Sequence, residues 1–177
     1  MRVIAGRYGG RTLQAAVGTV TRPTSDRVRE ALFSALGQID SARVLDLFAG
    51  SGALGIEALS RGAATCTFVD SAGAAISAIE ANLAAIELQS EVIHGDALEF
   101  LDKAQRMGRD YDLVLLDPPY RQAGVLAGEL ADTLPAVLAH GARVVCESDR
   151  REPLDLSLSL DRERRYGDTL LRIYTAQ

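Results

Sequence analysis

From Arg43 onward, short apolar runs alternate with longer amphipathic ones. Residues 44–48, 65–69, 91–93, 111–116 and 143–146 predict strands. Residues 54–60, 71 to about 88, 98–106 and 124–138 predict helices, with Gly62, Gly108 and Gly141 as stops. The strand runs are nearly all apolar rather than alternating. That pattern belongs to parallel strands covered on both faces by crossover helices. The chain ends differently. Residues 156–164 and 169–175 alternate polar and apolar positions about Tyr166-Gly167-Asp168, which predicts an antiparallel hairpin at one edge of the sheet.

Ahead of Arg43 the periodicity is local. Residues 1–13 predict a short hairpin about Gly9-Gly10. Residues 15–20 read as a connector, and Arg22-Pro23 is extended, because the residue before proline avoids the helical region. Thr24, Ser25 or Asp26 can cap a helix running to about Leu36, with Val28, Ala31, Leu32, Ala35 and Leu36 as its apolar face. The expected organisation is a basic arm over residues 1–22 and an α/β domain over 23–177.

A length of 177 residues suits one such domain. Two cysteines exclude a disulfide scaffold, and no apolar run approaches the ~18–20 residues of a membrane span. With no apolar leader-like run at the start, the expectation is a soluble, reduced, cytoplasmic monomer. The net charge of −5 hides an asymmetry: residues 1–29 carry six arginines against Asp26 alone, so they sum to +5 and the other 148 residues to −10. An acidic body with a basic arm suits a polyanionic partner. Of 19 basic residues only Lys103 is not arginine, the side chain whose planar fork binds phosphate bidentately.

Four strand ends carry the chemistry. Gly50-x-Gly52-x-x-Gly55 follows the first strand and opens a helix, a turn that lets the backbone approach NAD, FAD or S-adenosylmethionine. Asp70 closes the second strand, 20 residues after Gly50, where a carboxylate can accept from both ribose hydroxyls; alternatively it faces a helix dipole. Asp96, after the third strand, can accept from an adenine amino group or cap the next helix, and the two roles are compatible. Asp117-Pro118-Pro119-Tyr120 ends the fourth strand. Its prolines hold an extended loop, so the Asp117 carboxylate and the Pro118 carbonyl are two acceptors on rigid backbone, matched to the two hydrogens of an exocyclic amine. Tyr120 offers a face on which a base can stack. His94 and His140 have no acid or thiol cluster at ligand spacing, so no metal site is expected.

These motifs resemble those of S-adenosylmethionine-dependent amino methyltransferases. Met1-Arg-Val-Ile-Ala-Gly, Thr21-Arg-Pro-Thr-Ser-Asp-Arg-Val-Arg-Glu and Tyr166-Gly-Asp-Thr are similar to the RsmD family, bacterial enzymes that methylate N2 of a guanine in 16S ribosomal RNA. The resemblance covers nearly the whole chain. It implies a Rossmann-like, seven-stranded class I methyltransferase fold. It implies cofactor contacts from Asp46, Phe48, Gly50, Ser51, Gly52, Asp70, Asp96 and Ala97, and catalytic roles for Asp117, Pro118 and Tyr120. It further implies RNA contacts from the arm, for which Arg7, Arg11, Arg22, Arg27 and Arg29 are the candidates. Competing readings are an adenine-N6 DNA methyltransferase, which shares the Asp-Pro-Pro-Tyr tetrapeptide, a nicotinamide oxidoreductase using the glycine turn, and a non-catalytic RNA-binding assembly factor.

Overall fold

The computed structural model describes residues 1–16, 25–118 and 123–177. Its centre is a seven-stranded sheet in the order β3-β2-β1-β4-β5-β7-β6. The strands are β1 (Arg43–Leu47), β2 (Thr65–Asp70), β3 (Glu91–His94), β4 (Tyr111–Leu116), β5 (Leu138–Asp149), β6 (Ser159–Tyr166) and β7 (Thr169–Thr175). The first five are parallel; β7 runs antiparallel between β5 and β6. The terminal hairpin therefore inserts its second strand into the sheet and leaves its first, polar strand on the edge. The turn is the two-residue Gly167-Asp168, with Gly167 at φ 63°.

Side chains alternate across the sheet and divide the core in two. Val44, Phe68, Leu113, Leu115 and Val145 face α1 (Asp26–Leu36), α2 (Ala53–Ser60) and α3 (Gly73–Ala85). Leu45, Leu47, Val69, Val114 and Leu116 face α4 (Ala97–Arg106) and α5 (Ala123–Thr133). Burial on both faces is why these strands read as nearly continuous apolar runs. None of the described helices is long and apolar enough to cross a membrane.

Several expected boundaries move. The helix expected over 124–138 ends at Thr133, followed by a 3-10 turn over Leu134–Val137, and β5 starts at Leu138 instead of Arg143. Pro135 has no N–H to continue a helical ladder, and Leu138 pairs with Tyr111 in the sheet. The helix expected from Ser71 to about Leu88 is shorter at both ends.

The N-terminal residues are built into the fold rather than hung from it. Val3 and Leu13 are buried in the same cluster as Leu32, Phe33 and Ile79. Arg2 and Thr12 form an antiparallel bridge, closing the expected hairpin. The buried Glu57 of α2 accepts from the N–H groups of Ile4 and Ala5 at 2.7 and 3.1 Å. The Ser60 hydroxyl donates to Ala5 O and accepts from Tyr8 N–H, while its carbonyl accepts from Arg7 N–H. This contact explains Gly6: a Cβ there would stand 1.8 Å from Ser60 O.

Arg29 overturns an expectation. Placed among the RNA contacts, it is instead fully buried on the inner face of α1. Its Nη2 donates to Arg2 O at 2.5 Å and to Asp26 at 2.7 Å, and its Nη1 lies 3.5 Å from Met1 Sδ. Burial pulls its pKa down, against the attraction of Asp26. The residue pins the first residues of the arm to α1 and presents no guanidinium to a phosphate. The periodicity holds the reason: Arg29, Leu32, Phe33 and Leu36 share the i, i+3, i+4, i+7 stripe that faces the sheet.

Candidate active site

In an open parallel sheet, ligands bind beyond the carboxyl ends of the strands where the strand order reverses. Here that point lies between β1 and β4, paired through Leu47 and Leu116. The residues following those two positions are the glycine loop on one side and Asp117-Pro118 on the other.

The glycine loop is held from three directions. Ala49 N–H donates to Val69 O at 3.1 Å, Gly50 N–H to Asp70 Oδ2 at 2.8 Å, and Asn82 Nδ2 to Ser51 O at 2.9 Å. Phe48, Gly50 and Gly52 all have positive φ, at 60°, 57° and 76°. For phenylalanine this backbone is costly, and such strain concentrates at ligand sites. A Cβ on Gly50 would meet nothing within 4 Å, so the loop's upper surface is an open backbone cradle. Gly55 serves packing instead: a Cβ there would lie 2.4 Å from the Phe68 ring, 2.6 Å from Cys66 Sγ and 2.9 Å from the Asp46 carboxylate.

Asp46 is buried, and its Oδ2 accepts from Gly55 N–H at 2.9 Å, fastening the start of α2 to β1. Burial, opposed by the Gly55 bond and reinforced by the charge on Asp70, pushes its pKa up to about 8. The folded protein thus keeps a proton that the unfolded chain releases from about pH 4. Asp46 costs no stability below that pH, lowers stability progressively as pH rises towards 8, and adds nothing further above it. Asp46→Asn keeps an acceptor for Gly55 and cannot ionise. Urea unfolding should show the variant gaining on the wild type between pH 5 and 8, by about 1 kcal/mol per pH unit or somewhat less. Parallel profiles would mean that Asp46 is ionised in the fold.

Asp70 does more than the sequence suggested. Its two oxygens accept from Gly50 N–H and Ala72 N–H, at 2.8 and 2.9 Å, so it joins the end of β2 to the cradle. Asp96 is the N-cap of α4: Oδ1 takes both Leu98 N–H and Glu99 N–H, at 2.8 and 3.2 Å. Ala97, beside it, is buried. Asp117 is half-buried and Pro118 buried. Arg7, Arg11 and Arg27 are exposed, and none has an ion pair with another described residue. Arg7 stacks its guanidinium 5.7 Å from the Tyr8 ring centroid. Tyr120 and Arg22 lie outside the described residues. No group of His, Cys, Asp and Glu among the described residues is arranged to hold a metal.

Sequence reasoning missed Asn82, Glu57 and Ser60. Each is a buried polar residue on an otherwise apolar helix stripe, and Asn82 continues the run Ala75, Ala78, Ile79. A polar residue on such a stripe needs a partner from elsewhere in the chain, and here the partner is the arm.

Residues 1–175 match the family described as conserved hypothetical protein 95. The ribosomal RNA small subunit methyltransferase D of Escherichia coli K12 is 38% identical over 184 aligned residues, covering 98% of this chain and 89% of that protein. The solved structure of a hypothetical protein from Thermus thermophilus superposes with a TM-score of 0.86 at 28% identity, covering 99% of each chain. A ribosomal protein L11 methylase from Lactobacillus delbrueckii subsp. bulgaricus shares the fold, with a TM-score of 0.68 at 20% identity over 85% of this chain and 78% of that one. With a match along nearly its whole length and these motifs at its strand ends, the chain belongs to this family, the RsmD family of methyltransferases.

Proposed function

We propose that this protein transfers a methyl group from S-adenosylmethionine to the exocyclic N2 amino group of a guanine in small-subunit ribosomal RNA, working as a cytoplasmic monomer. The observation that carries the reading is the pairing of β1 with β4, which sets the open Gly50 cradle beside Asp117-Pro118. The choice of guanine and of N2 rests on the family resemblance.

The residues suit the cofactor. Asp70 and Asp96 stand at successive strand ends, each with acceptor capacity beyond its backbone bonds, for ribose hydroxyls and an adenine amine respectively. Phe48, Ser51 and Ala97 complete the wall, and the cradle admits the methionine end. The cofactor supplies an electrophilic methyl group. The chain's part is to present the nucleophile. The Asp117 carboxylate and the Pro118 carbonyl accept the two amino hydrogens, which turns the nitrogen lone pair out of conjugation with the ring and towards the methyl. Tyr120 stacks on the flipped-out base. Positioning of this kind is worth up to ~7–11 kcal/mol of the barrier. Asp117 need not be a strong base, because the amino proton becomes acidic only as the new N–C bond forms; its carboxylate then receives that proton or passes it to water.

Mass mapping of small-subunit rRNA from cells with and without the protein tests the assignment. Loss of one methyl from one guanine is expected. An unchanged map, or methylation of adenine in DNA by the purified protein, would refute it.

Arg7 and Arg11 of the arm, exposed and without an ion pair to another described residue, suit RNA phosphates. Neutralising Arg7 and Arg11 together should leave thermal stability and cofactor affinity nearly unchanged. It should weaken rRNA binding and flatten the slope of log K against log salt by about 1.4–1.8, since each lost phosphate contact removes ~0.7–0.9. Equal slopes would show that the arm does not touch RNA.

A further inference from the structure

One buried side chain touches both the arm and the cofactor cradle. Asn82, on the inner face of α3, is 1% exposed. Its Oδ1 accepts from Gln14 N–H at 2.7 Å; its Nδ2 donates to Gln14 O and to Ser51 O, both at 2.9 Å. The orientation of the amide follows from its partners, because an N–H group cannot accept and two carbonyls cannot donate. Ser51 sits between the two positive-φ glycines of the cradle. A second, weaker contact repeats the link: the Ser51 hydroxyl lies 3.4 Å from Met1 Sδ, the atom that also meets Arg29.

We infer that Asn82 is a positioning residue that couples the arm to the cofactor cradle, so that cofactor binding and seating of the arm on RNA strengthen one another. The inference rests on the reading of the arm as an RNA contact. The physical ground is that both amide hydrogens are committed, one to the arm and one to the cradle, so neither partner can move without freeing a buried donor. If Gln14 leaves its place, the amide keeps only Ser51 and loses the bonds that fix its plane. If the cradle shifts, Nδ2 or Ser51 O is left buried and unsatisfied, which is more costly than an exposed loss. Each site therefore holds the arrangement that the other uses, and such coupling is reciprocal by linkage. The cradle's strained backbone makes it the part of the pair most dependent on outside support.

The test compares binding of deproteinised small-subunit rRNA with and without saturating S-adenosylhomocysteine. In the wild-type protein the nucleoside should tighten RNA binding about 5-fold or more, the lower end of ordinary coupling. In Asn82→Ala the ratio should fall to about one even at saturation. Gln14→Pro provides a second variant in case the first folds poorly. It deletes the N–H that Oδ1 accepts and spares the Asn82–Ser51 bond, so it should lower the ratio with S-adenosylhomocysteine affinity kept within a few-fold. Amide exchange at Gln14, followed without RNA, gives an independent readout: S-adenosylhomocysteine should slow it in the wild type and not in Asn82→Ala. A ratio of one in the wild type, ratios unchanged in both variants, or exchange at Gln14 indifferent to the nucleoside would each overturn the coupling. Failure of the RNA reading looks different: exchange at Gln14 would respond to the nucleoside while neutralising Arg7 and Arg11 left RNA affinity unchanged.

Discussion

Asp117→Ala should lower the methylation rate about 10²–10³-fold, the usual cost of deleting one preorganised polar group at a reacting centre, with cofactor affinity kept within a few-fold. The expectation comes from where the fold puts the residue. β4 is a central strand, buried on both faces between β1 and β5, and Pro118 is buried directly after Asp117. The backbone at Asp117 therefore has little freedom, and the carboxylate is aimed by the sheet. In the proposed mechanism, alanine removes one of the two acceptors for the amino group. The Pro118 carbonyl remains, so the amine can still bind but is held through one hydrogen instead of two. The loss should fall mainly on kcat. Asp117→Asn keeps one side-chain acceptor and should recover part of the rate, which a purely structural role would not require. Normal turnover at saturating cofactor, combined with lost cofactor affinity, would move Asp117 from the base to the cofactor and overturn the assignment.

The parts of the structure that were legible in the sequence share a physical cause. Strands β1, β2 and β4 are largely hydrophobic on both faces because helices cover both, and this leaves nearly apolar runs instead of strict alternation. The terminal hairpin showed through its polar positions, because β6 lies on the edge and none of its residues is buried. The strand-end acids were legible because parallel-sheet topology makes each strand's last residue a neighbour of the crevice. What stayed hidden were polar residues placed against the core. Arg29 was read by its charge, and only the packing of Leu32 and Phe33 on the same stripe shows that the charge is inside. Glu57 and Asn82 were passed over within apolar helices, although a buried acid and a buried amide needed partners that local sequence does not provide. Their partners lie 52 to 68 residues away, in the arm. The arm was read as an appendage for the same reason: its arginines are visible in the sequence, but Val3 and Leu13 show their role only when packed against α1 and α3.

Asp70→Ala should weaken S-adenosylmethionine binding by about 100-fold, at the upper end of what loss of hydrogen bonds to one charged group produces. Two losses combine. The carboxylate proposed to meet the ribose hydroxyls is gone, and Gly50 N–H and Ala72 N–H lose their acceptor. The first removes a direct contact. The second loosens the cradle at Gly50, whose backbone is already held at a positive φ. Asp70→Asn separates them, because Gly50 N–H and Ala72 N–H meet different oxygens, of which the amide keeps one, and the amide carries no charge for the ribose; its affinity should lie between the two. A cofactor analogue lacking the ribose hydroxyls completes the argument. If Asp70 binds them, the analogue is weakened towards the wild type but costs little further towards Asp70→Ala. The two changes would then be strongly non-additive, as contacting groups are. Additive losses would confine Asp70 to fastening the loop, and unchanged affinity by calorimetry would leave it as a turn residue between β2 and α3.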